Sequence, residues 1–164
     1  MHRMLASPSA HVRAARGFTL IEVVVAIAIV GIIAAVAIPS FADSMRKSRR
    51  SDAFAALSVV QQAQERWRAN RATYAASVSN AADGDPPGLA LPATTLRGYY
   101  SITLSGATAT GYTALATAVA GTTQANDGNC VRLRVVMNAG NITYGSAASG
   151  GDFDTSVNNR CWVR

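Results

Sequence analysis

Hydrophobic and polar positions along this chain change their spacing three times. From Phe18 to Ile38 the sequence FTLIEVVVAIAIVGIIAAVAI is apolar at almost every position. A helix of that length rises roughly 31 Å, the thickness of a bilayer hydrocarbon core. The run is rich in Val and Ile but too long for a buried strand, so a helix is predicted. Beyond Pro39 the apolar positions thin to a stripe: Phe41, Met45, Ala53, Leu57, Val60, Ala63, Trp67 and Tyr74 recur at helical spacing. The opposite face carries Arg46, Lys47, Arg49, Arg50, Gln61, Gln62, Glu65, Arg66 and Arg68. Asp43 is spaced to pair with Arg46 or Lys47, and Asp52 with Arg49. The pattern predicts one helix from about Phe18 to about Arg71, roughly 80 Å long, with a kink at Pro39.

The helical signal fails at Ala75. Asp83-Gly84-Asp85-Pro86-Pro87-Gly88 is a dense cluster of helix breakers, so 75–97 reads as a long loop. The spacing then turns to two. Strands are predicted at Tyr99–Leu104, at Tyr112–Val119 with Leu115, Thr117 and Val119 alternating, at Val131–Met137 and at Ile142–Tyr144. Val131, Leu133, Val135 and Met137 alternate against Arg132 and Arg134, and Asn138-Ala139-Gly140-Asn141 is a hairpin turn between the last two strands. Strands joined this closely favour an antiparallel sheet. The predicted fold is α+β: a long kinked amino-terminal helix whose second half packs on a small antiparallel sheet. The expected divisions are a leader at 1–17, a membrane or filament-core helix at 18–38, and a head at 39–164. The head comprises helix 39–74, loop 75–97, and a sheet with carboxy-terminal loop at 98–164.

Composition changes this picture in three places. First, of 15 Lys and Arg against nine Asp and Glu, Arg3, Arg13 and Arg16 precede the apolar run and no acid does. A short basic segment before an apolar run is an export or insertion signal. Second, the two histidines, His2 and His11, both lie in that segment. If it is removed, Ser-His-Asp and Cys-His catalysis lose their base, and zinc sites lose their commonest nitrogen ligand. No enzyme activity, cofactor or metal is expected. Third, the two cysteines, Cys130 and Cys161, flank a segment rich in Gly, Ser and Asn. An exported domain sits where disulfides persist, and a bridge between them staples that segment to the sheet.

Glu22 is the anomaly of the apolar run, because a carboxylate in lipid is costly. Gly17-Phe18-Thr19-Leu20-Ile21-Glu22, inside a basic-then-apolar amino terminus, resembles the leader of the type IV pilins, and RGFTLIEVVVAIAIVGIIAAVAIPSF closely matches that family's signature. The resemblance implies cleavage by prepilin peptidase between Gly17 and Phe18, N-methylation of Phe18, and a role for Glu22 in filament assembly. GYTA at 111–114, then Gln124, Asp127 and Cys130, then Cys161-Trp162, look like the PilE-type minor pilins. The implied partners are other pilin subunits, the prepilin peptidase and the inner-membrane assembly platform. The implied location is a single-pass inner-membrane protein with a periplasmic head, passing to the pilus and cell surface. In a stacked bundle Glu22 would neutralise the α-amino group of a neighbouring Phe18, since a buried pair is tolerable where either charge alone is not. Gly31 and Ala35 give a small-residue face suited to close helix contact.

Other readings stay open. The same signature opens the type II secretion pseudopilins and the pilins of DNA uptake. Ala35-Val36-Ala37 would suit an ordinary secretory cleavage, and the run would also serve as a plain membrane anchor. The basic cluster 46–50, with Arg97, Arg132, Arg134, Arg160 and Arg164, offers DNA contact as a secondary role, against a solvated or subunit-pairing face. Asp152 and Asp154 could hold calcium, though Asp-x-Asp in a Gly/Ser loop is commoner as plain solvated chain. Trp67 and Trp162 are expected to pack in the core.

Overall fold

The computed structural model describes residues 17–162. Residues 1–16 of the expected leader 1–17, with Arg3, Arg13, Arg16 and both histidines, lie outside the described residues, as do Val163 and Arg164. Two units emerge, one ending at Pro39 and the other comprising Ser40–Arg164. Helix α1, Leu20–Arg68, contributes to both and includes Pro39 within its assignment.

In the first unit, Thr19 precedes the helix and its hydroxyl accepts the backbone N–H of Glu22 at 3.3 Å. This is the Thr-x-x-Glu spacing of a capping box, which satisfies one of the orphan donors of a helix start. The side chains from Phe18 to Ile38 are almost all exposed, and the helix holds a stretch long and apolar enough to cross a membrane.

The second unit contains the core. Strands β1 (Tyr100–Ser105), β2 (Gly111–Ala118), β3 (Arg132–Asn138) and β4 (Asn141–Ala147) form one antiparallel sheet in the order β1-β2-β3-β4. The turn between β3 and β4 pairs Asn138 with Asn141. It places Ala139 at φ 47° and Gly140 at φ 84°, the doubly positive backbone of a two-residue hairpin. One sheet face packs with the helix stripe Ala53, Leu57 and Val60 around Tyr100, Ile102, Tyr112, Leu133 and Val135. The disulfide Cys130–Cys161 forms as expected and joins this core. The loop 75–97 contains no helix or strand but is knitted by bridges, Ser77 to Gly88 and Thr94 to Ser101.

Several expectations need correction. The helix stops at Arg68, three residues early, where backbone bonds of the Asn70–Arg71 turn take over. Phe41 and Met45 lie on the predicted stripe yet are exposed, because the buried helical residues begin at Arg50. Arg50, assigned to the polar face, is buried. Asp43 does pair with Arg46, at 2.7 Å. Asp52 does not pair with Arg49: Arg49 donates to Thr123 and lies over the Tyr99 ring, and Asp52 keeps a buried oxygen without a partner. On β2 the inward side chains are Tyr112, Ala114, Ala116 and Ala118, so Leu115 and Thr117 are on the outer face. The alternation had the right period, but alanine, not leucine, marks the buried phase. Trp162 packs on the core between Phe54 and Tyr144, at ring distances of 5.0 and 4.8 Å. Trp67 instead holds the turn after the helix, donating to the Thr73 carbonyl under the Arg71 guanidinium.

Candidate functional site

Two regions are built for more than packing. The first is the segment from Gly17 to Ile38. Gly17 and Phe18 are exposed ahead of the helix, and Glu22 sits in its first turn with Leu20, Ile21, Val23 and Val24 exposed around it. The Thr19 cap holds the backbone N–H of Glu22. Its place near the helix amino terminus also suits the helix dipole. Sequence reasoning treated Glu22 solely as an assembly residue and missed Thr19. The Thr-x-x-Glu spacing was the available signal.

The second region is the head around Arg50. Its guanidinium makes a two-pronged bond to Asp127, Nε to Oδ2 at 2.6 Å and Nη2 to Oδ1 at 2.7 Å. Gln124 donates to the Tyr100 hydroxyl at 2.8 Å and more weakly to Asp127 and the Arg46 carbonyl. The bond to Asp127 raises the Arg50 pKa further, against the opposing effect of burial. Burial has the opposite effect on the acidic phenols: it raises Tyr100, partly countered by the Gln124 bond, and lifts Tyr112 to about 12. This network ties the helix to the short 3₁₀ turns at Thr123–Asn126 and Gly128–Cys130, and so to the disulfide. The polar groove beside it, of roughly 1020 Å³, is lined by Arg46, Lys47 and Arg160 but also by Asp43 and Asp154. Asp154 is held ionised, its pKa lowered by the Ser156 backbone N–H. No group of three or more metal-ligating side chains occurs among the described residues.

The basic residues that the sequence grouped are thereby separated. Arg46 and Arg50 are committed to acids, while Arg132 and Arg134 lie on the other sheet face, both stacked on Phe153 at 4.7 and 3.9 Å. Arg132 also holds the carbonyls of Ala148 and Gly151. The pairing register sets Arg132 beside Thr117 and Ser101, and Arg134 beside Leu115 and Thr103. The outward side chains of β1, β2 and β3 thus offer hydroxyls and guanidinium groups and no carboxylate.

Comparison with known proteins decides the family. Residues 39–134, more than half of the chain, match the family described as "Type IV minor pilin ComP, DNA uptake sequence receptor". The chain belongs to this family. Residues 12–38 match the prokaryotic N-terminal methylation motif. Among curated relatives, a fimbrial protein of Moraxella nonliquefaciens is 38% identical over 71 residues, 43% of this chain and 46% of the relative. The type IV major pilin protein PilE1 of Neisseria gonorrhoeae is 34% identical over 85 residues, 52% of this chain and 36% of that protein. The fimbrial protein EcpC of Eikenella corrodens is 51% identical over 39 residues, 24% and 26% of the two chains. The matched part therefore spans less than half the length of each of these relatives. The chain is thus a member of the ComP type IV minor pilin family, and its apolar amino-terminal helix fits membrane anchoring and the pilus surface.

Proposed function

We propose that this minor pilin is cut between Gly17 and Phe18 by prepilin peptidase, methylated on Phe18, and drawn by the inner-membrane platform into a filament of pilin subunits. Before assembly residues 18–38 span the inner membrane once and the head, 39–164, lies in the periplasm. Afterwards the apolar half-helix forms filament core and the head reaches the cell surface. The observation that carries this reading is the exposed apolar segment 18–38, helical from Leu20, which follows Gly17 and holds one carboxylate, Glu22. Glu22 neutralises the amino group of a neighbouring Phe18 and so sets the register of the bundle. Pro39, which lacks the N–H that a helix interior needs, is its bending point. Intact-mass measurement and amino-terminal sequencing, on protein from membranes of a host with the peptidase, should give residues 18–164 with a methylated amino terminus. A Glu22→Ala variant should be cut like the wild type but be missing from sheared pili. Cleavage after Ala37 would refute the filament role.

A second reading is favoured by the outer sheet face. The outward positions of β1, β2 and β3, which hold Arg132 and Arg134 and no carboxylate, support DNA binding by the head, the role the family's description names, although Asp152 and Asp154 flank the Phe153 on which both arginines stack. The helix cluster 46–50 supports it less, since half of its cations are paired. Two phosphate contacts, one from Arg134 and one from Arg132 in exchange for a loop carbonyl, would give a slope near −2 in log affinity against log salt, at about −0.9 per phosphate. Gel shifts with residues 40–164, which contain the whole core, should show that slope. Arg134→Gln should reduce it by about one. An unchanged slope would remove this face from consideration.

A further inference from the structure

The polar groove beside the Arg50–Asp127 pair, roughly 1020 Å³, is lined by four cations and three carboxylates. Two of each are matched within the fold: Arg46 with Asp43 at 2.7 Å, and Arg50 with Asp127 at 2.6 Å. Lys47, Arg160 and Asp154 enter no ion pair among the described residues. All three stand exposed on the groove wall. Asp154 takes the Ser156 N–H on Oδ1 alone. Asn126, Asn129 and Asn158 add neutral amides to the same wall. Folding explains the matched charges and leaves two cations and one carboxylate facing a common space.

A ligand that completes this wall carries an anion for Lys47 and Arg160 and an N–H cation for Asp154. Lysine presents three donors and arginine a planar fork, and both suit the oxygens of a phosphate. A simple anion would meet the two cations but would lie beside an ionised carboxylate, and like charges set against each other are costly. A simple cation would face two positive groups. A phosphoethanolamine headgroup supplies both signs in one small unit, with ester oxygens left for the amides. Duplex DNA, whose phosphates carry no cation of their own, fits this groove less well than it fits the outer sheet face.

The groove is also tied by the chain to the segment proposed to span the membrane. Asp43, Arg46 and Lys47 follow Ile38 by five, eight and nine residues. The path from Ile38 to Lys47 is helical, so it measures about 14 Å whatever bend Pro39 makes. The headgroup layer of one leaflet is roughly 5–8 Å deep, and a lysine reaches towards it along its own apolar stem. Phe41 and Met45, which the core leaves 68% and 37% exposed, lie on this same stretch. An aromatic ring and a thioether suit the boundary between headgroups and acyl chains.

We propose that the groove binds the headgroup of a phosphoethanolamine lipid from the membrane that holds the amino-terminal helix, with Lys47 and Arg160 on the phosphate and Asp154 on the ammonium. The lipid is a ligand of the membrane-held subunit and is given up when the subunit is extracted into a filament. In that respect the inference rests on the membrane reading above.

The test uses the full chain, whose resistance to carbonate extraction from its source membranes is recorded first. The chain is then placed in nanodiscs of phosphatidylethanolamine and phosphatidylglycerol in equal amounts. Native mass spectrometry should show one retained phosphatidylethanolamine per chain, favoured about fivefold over phosphatidylglycerol. Asp154→Asn should abolish or reverse that preference, because the unpaired charges left in the groove are then all positive. Lys47→Gln with Arg160→Gln should lower retention of both lipids by about fivefold. Arg97→Gln, an exposed arginine outside the groove, should change neither. Near-ultraviolet circular dichroism confirms that the variants fold. A chain that carbonate strips from the membrane would overturn the membrane reading and this proposal with it. A membrane-held chain that retains both lipids equally, keeps its preference in Asp154→Asn, or responds to Arg97→Gln as to the groove variants would overturn the proposal alone. In gel shifts the Lys47–Arg160 double variant should bind duplex DNA with the wild-type salt slope. A slope reduced by about two would assign the groove to nucleic acid and also overturn the proposal.

Discussion

Asp127→Ala is expected to destabilise the head by about 3–5 kcal/mol, the usual cost of leaving one member of a buried ion pair alone. Arg50 and Asp127 have side chains 10% and 5% exposed and share two short bonds. Without the carboxylate, the guanidinium keeps the Arg160 carbonyl at 3.4 Å as a weak acceptor. Urea melts of residues 40–164 measure the loss. For a domain of this size it should appear as a fall in Tm of roughly 10–20 °C. The double replacement Arg50→Met with Asp127→Leu should recover most of the stability, since well-packed apolar residues often substitute for a buried pair without loss. A loss below about 1 kcal/mol for Asp127→Ala would place the pair in the class of solvent-screened surface bridges.

Removing the disulfide, as Cys130→Ser with Cys161→Ser, is expected to cost about 3–4 kcal/mol in the chain-entropy account, since its cysteines lie 31 residues apart. The loss should be local before it is global. Apart from the disulfide, residues 148–162 are held by single contacts and no strand: the Ser146–Asp154 bridge, the Asn159 side chain, Arg132 on the Ala148 and Gly151 carbonyls, the arginines over Phe153, Arg50 on the Arg160 carbonyl, and Trp162 donating to the Gly145 carbonyl at 3.0 Å. The near-ultraviolet circular dichroism of the Phe54–Trp162–Tyr144 stack should weaken in the double variant at urea concentrations where the far-ultraviolet sheet signal persists. Simultaneous loss of both signals would mean that the bridge holds the whole sheet instead of its last loop.

Most of the fold was legible because its signals were periodic. The apolar run, the change of spacing at Pro39, the breaker cluster at 83–88 and the alternation in β3 each fix an element. What was misjudged concerns residues whose chemistry and position disagree. Arg50 and Gln64 stand at helical spacing with Ala53, Leu57 and Val60 and are buried with them. Polarity suggested the outer face for Arg50, but position decided. Both are buried because a specific partner waits: Asp127 for Arg50, and for Gln64 the N–H and carbonyl of Ala75, each at 2.9 Å. Such partners lie 77 and 11 residues away in sequence, where no local pattern reports them. The opposite error occurs in β2, where Ala114 and Ala116 fill the core because Tyr100 and Tyr112 already supply its bulk. The amino-terminal site was readable as a motif, its Thr19 cap by spacing. The outer arginine face was not, since grouping cations along the sequence mixed two faces of the head.

The strand order β1-β2-β3-β4 also bears on how the head forms. Every strand pairs with its sequence neighbour, so the sheet needs only short loop closures and should assemble quickly, hairpin by hairpin. The helix is in the reverse situation. It is made first, yet the surface that buries Leu57 and Val60 arrives only with residues 100–137. During synthesis and export the helix must therefore wait with its apolar stripe uncovered, and an uncovered stripe invites aggregation. The arginines and glutamines of its other face keep this waiting helix in solution, a service rendered before there is any head to belong to.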